Sequence, residues 1–476
     1  MTALPDWLRS RASSLPDKLA LLTGGKSWTF SELDDEVTRI ARALAGTGVA
    51  QGDRVATILP NGPLAAMLPF ATLRLGAAIV PLNTRLTDPE LDWQLEQTRP
   101  RCVIKAASID ELVEGAPAAE DFNPRPELAP ETVAAILYTS GTTGRPKGVM
   151  LTVGNFWWSA IGSARNLGTV EHDRWIACLP LFHIGGLSIL TRSMIYGTAA
   201  EVHDRFDPVQ VNASIDGGAT IVSVVAVMLE RILDERGERP FPSSLRTVLV
   251  GGGPVTAKLL ERCGKAGLPV VQTYGLTETC SQVATLSPDD ATRKRGSAGR
   301  PLHPNELSID STRGSYGGEI LVRGPVVMAG YADQPEETSK VLVDGWLHTG
   351  DYGRLDDEGF LYVLDRRDDL IITGGENVYP AEVETVLLSH PAIEEAAVIG
   401  LPDDKWGQRP IAVIRVRQGS TLPEAAELDA WCRQSLAGYK VPSEFRMTSD
   451  PLPRTASGKL RRSAVRDSIS GPSASG

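Results

Sequence analysis

The sequence predicts an α/β protein: a large N-terminal domain of mixed sheets with packed helices, followed by a small α+β C-terminal domain. Three observations carry that prediction. Short apolar runs alternate with stretches of helical periodicity, a pattern that yields right-handed strand–helix–strand crossovers and parallel pairing. At 476 residues the chain is too long for one ordinary core. Near its last quarter five charged residues, Asp365-Arg366-Arg367-Asp368-Asp369, separate two apolar strands and mark a solvent-exposed joint. The expected division is 1–364 for the large domain, 365–369 for the joint, 370–470 for the small domain and 471–476 for a disordered tail.

Composition narrows the function classes. A hydrophobic share of 42% with 22% charged residues describes a globular protein. A net charge of −11 argues against a nucleic-acid binder, which presents a basic face, but permits a locally basic pocket for a small anion. The five cysteines, at 102, 178, 263, 280 and 432, have no metal-ligand spacing and read as reduced thiols of a cytoplasmic protein. No apolar run reaches membrane-spanning length, and the first residues lack the apolar core of a signal peptide. No membrane insertion is expected, and self-association is left open.

In chain order, Leu33, Val37, Ile40, Ala41 and Leu44 share one helical face that begins at Ser31 and stops at Gly48. Arg54–Leu59 is a strand, Leu64–Leu75 a helix and Ala77–Val80 a second strand. Residues 106–131, rich in Ala, Pro and acid, read as a surface connection. The apolar run Val133–Tyr138 then leads into Thr139-Ser140-Gly141-Thr142-Thr143-Gly144, with Lys147 and Gly148 beyond. Glycines allow backbone N–H groups to turn toward an anion, and hydroxyls and a lysine add donors, which suits a polyphosphate. The NTPase P-loop is excluded, because Gly148 follows Lys147 where that motif requires Ser or Thr.

Trp175–Leu179 is a buried strand ending at Pro180-Leu-Phe-His183-Ile-Gly-Gly. His183 lies just past the strand's carboxyl end, where α/β sheets bind ligands; a structural histidine is the competing reading. The strand Ala219–Val225, the helix Val227–Leu233 and the strand Arg246–Val250 follow. Gly251-Gly252-Gly253-Pro254 then reads either as a tight turn or as a close backbone approach to a planar ligand, with Pro254 starting a helix that buries Leu259, Leu260 and Cys263. Strand Pro269–Thr273 ends in Tyr274-Gly275-Leu276-Thr277-Glu278. Tyr274 offers a flat face for adenine, Thr277 a donor to the α-phosphate and Glu278 a hard oxygen for Mg²⁺. The basic run RKRGSAGR at 293–300 is read as a solvated loop, with a seat for coenzyme A phosphates as the alternative.

Asp351, past Thr349-Gly350, can accept both hydroxyls of a ribose, as acids do at dinucleotide sites. Beyond the joint, Gly374-Gly375 lacks side-chain barriers and suits the wall of a narrow channel for a pantetheine arm. Pro380 begins a helix with Val383, Val386 and Leu387 on one face, strands follow at Ala396–Ile399 and Ile411–Val416, and a helix runs from about Glu424 to Leu436. Lys459 lies in the polar stretch PRTASGK, by itself a solvated loop.

YTSGTTGRPKG resembles the phosphate-binding signature of the adenylate-forming superfamily, which includes acyl-CoA synthetases, peptide-synthetase adenylation domains and beetle luciferases. The later motifs occur in the family's order and extend the resemblance over nearly the whole chain. The resemblance implies ATP, Mg²⁺ and coenzyme A as reactants and cofactors. It places Gly251–Pro254 at the adenine edge, His183 as a gate bordering the acyl pocket, and Arg366 on the ribose and phosphate. It makes Asp368 the hinge of a mobile C-terminal lid and Lys459 the catalytic lysine. Four strings reach past the shared motifs, LPLFHIGGLSIL, MIYG, QTYGLTETCSQVATLSP and GENVYPAEVE. They are similar to the branch of the family that thioesterifies an aromatic dicarboxylate of menaquinone biosynthesis. Its second carboxylate needs a polar or basic partner; His183, Ser188 and Thr277 are the candidates. The expected chemistry is acyl-AMP formation with release of pyrophosphate, then transfer to coenzyme A. Other readings are a fatty or aryl acyl-CoA synthetase, a luciferase-like oxygenase, an adenylation domain serving a carrier protein, and a non-catalytic nucleotide-binding module.

Overall fold

The computed structural model describes residues 3–105, 108–117, 119, 122, 124–125, 127–139, 146–253, 255–310, 317–366, 369, 371–373, 376–378, 380–403, 406–436, 438–454, 458 and 460–470. At 365, 366, 372, 376, 377 and 470 this covers the backbone alone.

Among the described residues, the strands Ile221–Val224 and Thr247–Val250 are buried throughout, as continuous apolar runs covered on both faces must be. They are the centre of a nine-stranded sheet. Val270–Leu276 pairs in parallel with Thr247–Val250, and Arg174–Ala177 pairs in parallel with Ile221–Val224. Ala199–Val202 and Leu19–Thr23 extend the parallel run. The expected parallel pairing is therefore present. A second sheet, of six strands, contains Arg54–Thr57 and Ala78–Pro81 in parallel and Val133–Tyr138 antiparallel to Gly148–Thr152.

Helices fill the space between these sheets. Phe30–Gly46 starts at a capping box: the Thr29 hydroxyl accepts from the Glu32 N–H, and the Glu32 carboxylate accepts from the Thr29 N–H at 2.8 Å. It buries Leu33, Val37, Ile40, Ala41 and Leu44, the face read from the sequence. Pro63–Leu75 packs beside it, and one apolar core joins residues of both sheets, among them Val55, Ile79, Ala200 and Leu249. A third sheet, built around Gly318–Arg323 and Trp346–Leu355, adjoins this core.

The small domain has its own cores. The antiparallel strands Ile393–Asp403 and Gly407–Val416 form its centre, with Glu444–Thr448 parallel to the latter. Val383, Leu387, Leu428 and Cys432 are buried against them from the helices Pro380–Leu388 and Ala425–Arg433.

Four local readings are revised and one element is added. Residues 106–131 include a short helix, Ile109–Glu114, whose first N–H groups are capped by Ser108. The helix after the glycine run starts at Ala257, because the Thr256 hydroxyl caps it, and Leu260 is only half-buried. Tyr274 and Gly275 lie within a strand that continues to Leu276, because Ser281–Thr285 returns antiparallel beside it. Asp351 also sits inside a strand, Trp346–Leu355. A last helix, Arg462–Ser470, joins the small domain by burying Val465 against Ile399 and Ile411.

Candidate active site

Four adjacent parallel strands present their carboxyl ends along one edge of the large sheet. From them emerge His183, Val225, Gly251–Gly253 and the Tyr274–Glu278 segment. This edge is where an open α/β sheet accommodates a ligand. The six-stranded sheet adds Thr139 and Lys147, and the third sheet adds Asp351. Sequence-distant motifs thus converge on one edge.

Gly251 is packed close to Thr273, where a Cβ would come within 2.8 Å of Thr273 Cγ2, whereas a Cβ on Gly253 would meet nothing within 4 Å. Gly253 therefore offers the open backbone face that a flat ring needs, and Gly251 serves the packing of the strand. Tyr274 is half-buried, and its hydroxyl donates to Asp351 Oδ2 at 2.9 Å. Asp351 is buried, and its backbone N–H donates to Thr349 Oγ1 at 3.1 Å. Backbone register sets Arg366 directly across from Asp351. The adenine-stacking candidate and both ribose candidates are thereby neighbours.

Thr277, Glu278 and Thr279 make a single 3₁₀ turn, followed by Cys280 and Ser281 in left-handed conformation at φ 49° and 86°. The turn is held by the Thr279 hydroxyl, which accepts from the Leu276 N–H at 2.9 Å. Gly275 is required beside it: a Cβ there would lie 1.6 Å from the Ser281 carbonyl oxygen. Glu278 accepts a hydrogen bond from the Tyr331 hydroxyl at 3.1 Å, and the Met328 N–H donates to the Glu278 carbonyl at 2.9 Å. Burial first, and then the negative charge of Glu278, push the Tyr331 phenol well above its ordinary range, so it remains a donor.

The ends of the phosphate signature are closed by the Thr139 N–H, which donates to the Lys147 carbonyl at 3.0 Å. Lys147 Nζ lies 2.6 Å from Glu337 and 5.0 Å from the centre of the Tyr331 ring. Glu337 is lowered to about 2, chiefly by its hydrogen bond from Lys147. The signature residues Ser140, Gly141, Thr142, Thr143 and Gly144 lie outside the described residues. So do Pro254, Asp368, Gly374, Gly375 and Lys459. Gly458, next to Lys459 in the chain, is placed so that a Cβ on it would approach Val225 Cγ2 at 3.7 Å. Its carbonyl accepts from Arg454, which also pairs with Glu395 at 2.9 Å.

His183 caps the helix Ile184–Tyr196 and stands half-buried against Phe182, ring centres 4.6 Å apart. One turn into that helix is Ser188, which is buried and donates to the Ser281 hydroxyl at 3.4 Å. The sequence reading named Ser188 but missed its neighbour. Arg192 is 2% exposed, and its guanidinium donates to Ser188 Oγ at 3.2 Å and Ser159 Oγ at 3.0 Å. Among the described residues its Nε has no hydrogen-bond partner and no carboxylate pairs with it. Burial lowers its pKa from the ordinary arginine value. An arginine inside an otherwise uncharged helix, IGGLSILTRSMIY, was the available signal.

Two cations of the basic loop at 293–300 are held by ion pairs to neighbouring acids. Arg293 pairs with Asp290 and Glu358, and Lys294 with Asp356 and Glu358, which favours the solvated-loop reading over a coenzyme A seat.

The donor set fits magnesium held together with a nucleotide. Among the described residues no cluster of three or more metal-ligating side chains occurs. Mg²⁺ is commonly bound by one or two carboxylates plus substrate phosphates and waters, which Glu278 beside the phosphate signature would provide.

Comparison with known proteins bears on the family and the fold. Residues 8–332 match the model of the AMP-binding enzyme family, and residues 382–459 match that of the AMP-binding enzyme C-terminal domain. The chain is 49% identical to 2-succinylbenzoate–CoA ligase of Geobacillus kaustophilus over 478 residues, covering 97% of each. It superposes on o-succinylbenzoate CoA synthetase from Bacillus subtilis in complex with the acyl-adenylate intermediate OSB-AMP. The TM-score is 0.91 at 43% identity, covering 98% of this chain and 99% of that one. The same Bacillus subtilis enzyme as a double mutant bound with its product analogue OSB-NCoA gives a TM-score of 0.75 at the same identity and coverage. The chain belongs to the AMP-binding enzyme family.

Proposed function

We propose that the chain activates 2-succinylbenzoate with ATP as an acyl-adenylate, releases pyrophosphate, and transfers the acyl group to coenzyme A. The observation that carries the choice of acid is Arg192. An isolated buried charge costs several kcal/mol, so a guanidinium without an acidic partner is a standing site for an anion. A dicarboxylate supplies that anion: one carboxylate reacts at the nucleotide and the other pairs with Arg192 and Ser188.

The reaction brings one anion to another, because the acid's carboxylate attacks the α-phosphate. Donors must therefore be in place before charge develops. In this reading the signature from Thr139 to Gly144 and Lys147 bind the β- and γ-phosphates, Thr277 donates to the α-phosphate, and Tyr274 and Gly251–Pro254 sandwich the adenine. Asp351 and Arg366 hold the ribose, and His183 borders the acyl pocket. Glu278 would hold Mg²⁺, which supplies Lewis-acid neutralisation of the phosphates. Lys459 neutralises the reacting carboxylate and α-phosphate from the small domain. Withdrawal of that lysine and entry of the thiol past Gly374-Gly375 then require rotation about Asp368.

The higher TM-score to the acyl-adenylate complex than to the product-analogue complex supports an adenylation-type domain arrangement here, since identity and coverage are the same in both. A cytoplasmic location is in keeping with the reduced cysteines. Arg192→Met tests the assignment of the acid, because methionine fills much of the volume without the charge. The variant is expected to lose adenylation efficiency with 2-succinylbenzoate by about tenfold or more, the worth of a charge-assisted hydrogen bond. Efficiency with a monocarboxylate aryl analogue should hold or improve. Equal losses with both acids would contradict the assignment.

A further inference from the structure

Glu278 and Lys147 come from different sheets, yet both rest on one side chain. Tyr331 is buried in the short strand Gly330–Tyr331, which pairs antiparallel with Val149 and Met150, next to Lys147. Its backbone is anchored: the Tyr331 N–H donates to Thr338 Oγ1 at 2.9 Å. Its hydroxyl donates to Glu278 Oε1 at 3.1 Å, and its ring face lies 5.0 Å from Lys147 Nζ. Glu337, from the helix Pro335–Val341, draws the same ammonium to 2.6 Å.

We propose that Tyr331 is a positioning residue that couples the metal carboxylate to the phosphate-loop lysine. The inference rests on the assignment of Glu278 to Mg²⁺. A glutamate has three side-chain torsions, so a free carboxylate samples several orientations, and a divalent cation selects only a few of them. The O–H bond from a buried ring fixes the carboxylate plane before the cation arrives. Partners of this kind orient metal ligands, and their loss commonly costs ten- to a hundredfold in metal affinity. The ring adds a cation–π contact that keeps the Lys147 ammonium on the same side of the site. An incoming metal–triphosphate would then find the lysine and the carboxylate already set against each other.

Tyr331→Phe removes the hydroxyl and keeps the ring. The informative readout is Mn²⁺ binding, followed by electron paramagnetic resonance, to enzyme saturated with a non-hydrolysable ATP analogue. Glu278→Gln is measured beside it, and a second readout is thioester formation from supplied acyl-adenylate. The expected result is Mn²⁺ affinity lowered on the order of tenfold in Tyr331→Phe, with thioester formation kept. Weakened Mn²⁺ binding in Glu278→Gln with wild-type binding in Tyr331→Phe would overturn the role of Tyr331 and leave Glu278 assigned. Unchanged binding in Glu278→Gln would remove the Glu278 assignment and the inference with it. A parallel loss of thioester formation in Tyr331→Phe would reduce Tyr331 to a packing residue and overturn the proposal.

Discussion

In the proposed reading, Arg192 and Lys459 each serve one carboxylate of the acid. Arg192 is fixed in a helix with both serine contacts formed, whereas Lys459 belongs to the small domain. Their loss should therefore read differently. Lys459→Ala is expected to lower adenylation by about 10²–10³-fold, the usual effect of deleting one electrostatic donor to a developing charge. Thioester formation from supplied acyl-adenylate should be spared. Equal loss in the two half-reactions, measured by pyrophosphate release and by thioester yield, would contradict the role. At this scale the sequence was legible where chemistry is written in dense motifs. Tyr274, Glu278 and Asp351 fall on one edge of the fold, as their residue types implied. Arg192 was not legible, because its burial depends on helix Ile184–Tyr196 lying inside the core, a property of packing across several segments.

The 3₁₀ turn and its flanking strands show how the elements constrain the site. Strand Val270–Leu276 bulges between Tyr274 and Gly275, and the chain then reverses over Thr277–Cys280 to return as Ser281–Thr285. Only a residue without a Cβ fits at position 275 against the Ser281 carbonyl. Gly275→Ala should therefore push the two strands apart and cost about 1–3 kcal/mol, the range for overpacking. A lowered urea midpoint with unchanged slope is the expected observation; an unchanged midpoint would mean that the pair yields without penalty. Parallel strands were the elements most legible in sequence, since burial on both faces leaves continuous apolar runs. The antiparallel returns at Gly148–Thr152 and Ser281–Thr285 were less so, because short polar-flanked segments gain their conformation from a partner strand. The final helix, Arg462–Ser470, buries Val465 alone and follows a polar stretch, so its periodicity gave little signal.

Across the whole molecule, the small domain brings Gly458 against Val225, whose other γ-methyl lies 3.3 Å from where a Cβ of Gly252 would be. Gly458 thus abuts the loops assigned to the nucleotide. An arrangement suited to acyl-AMP formation must open for thioester formation, since lysine and thiol approach the same acyl phosphate. Asp368→Pro, which restricts φ at the joint, is expected to slow the thioester half-reaction far more than adenylation. Similar slowing of both would contradict a hinge there. That the chain forms a large and a small domain was legible in the sequence, while the angle between the domains belongs to no local pattern.

The most direct measurement of the central claim is product formation by purified protein given ATP, Mg²⁺ and a panel of carboxylic acids, followed by mass spectrometry with and without coenzyme A. The account predicts 2-succinylbenzoyl-AMP with stoichiometric pyrophosphate, converted to the CoA thioester and AMP when coenzyme A is added, with 2-succinylbenzoate preferred over monocarboxylates. Absence of an AMP-linked product from every acid on the panel would contradict it.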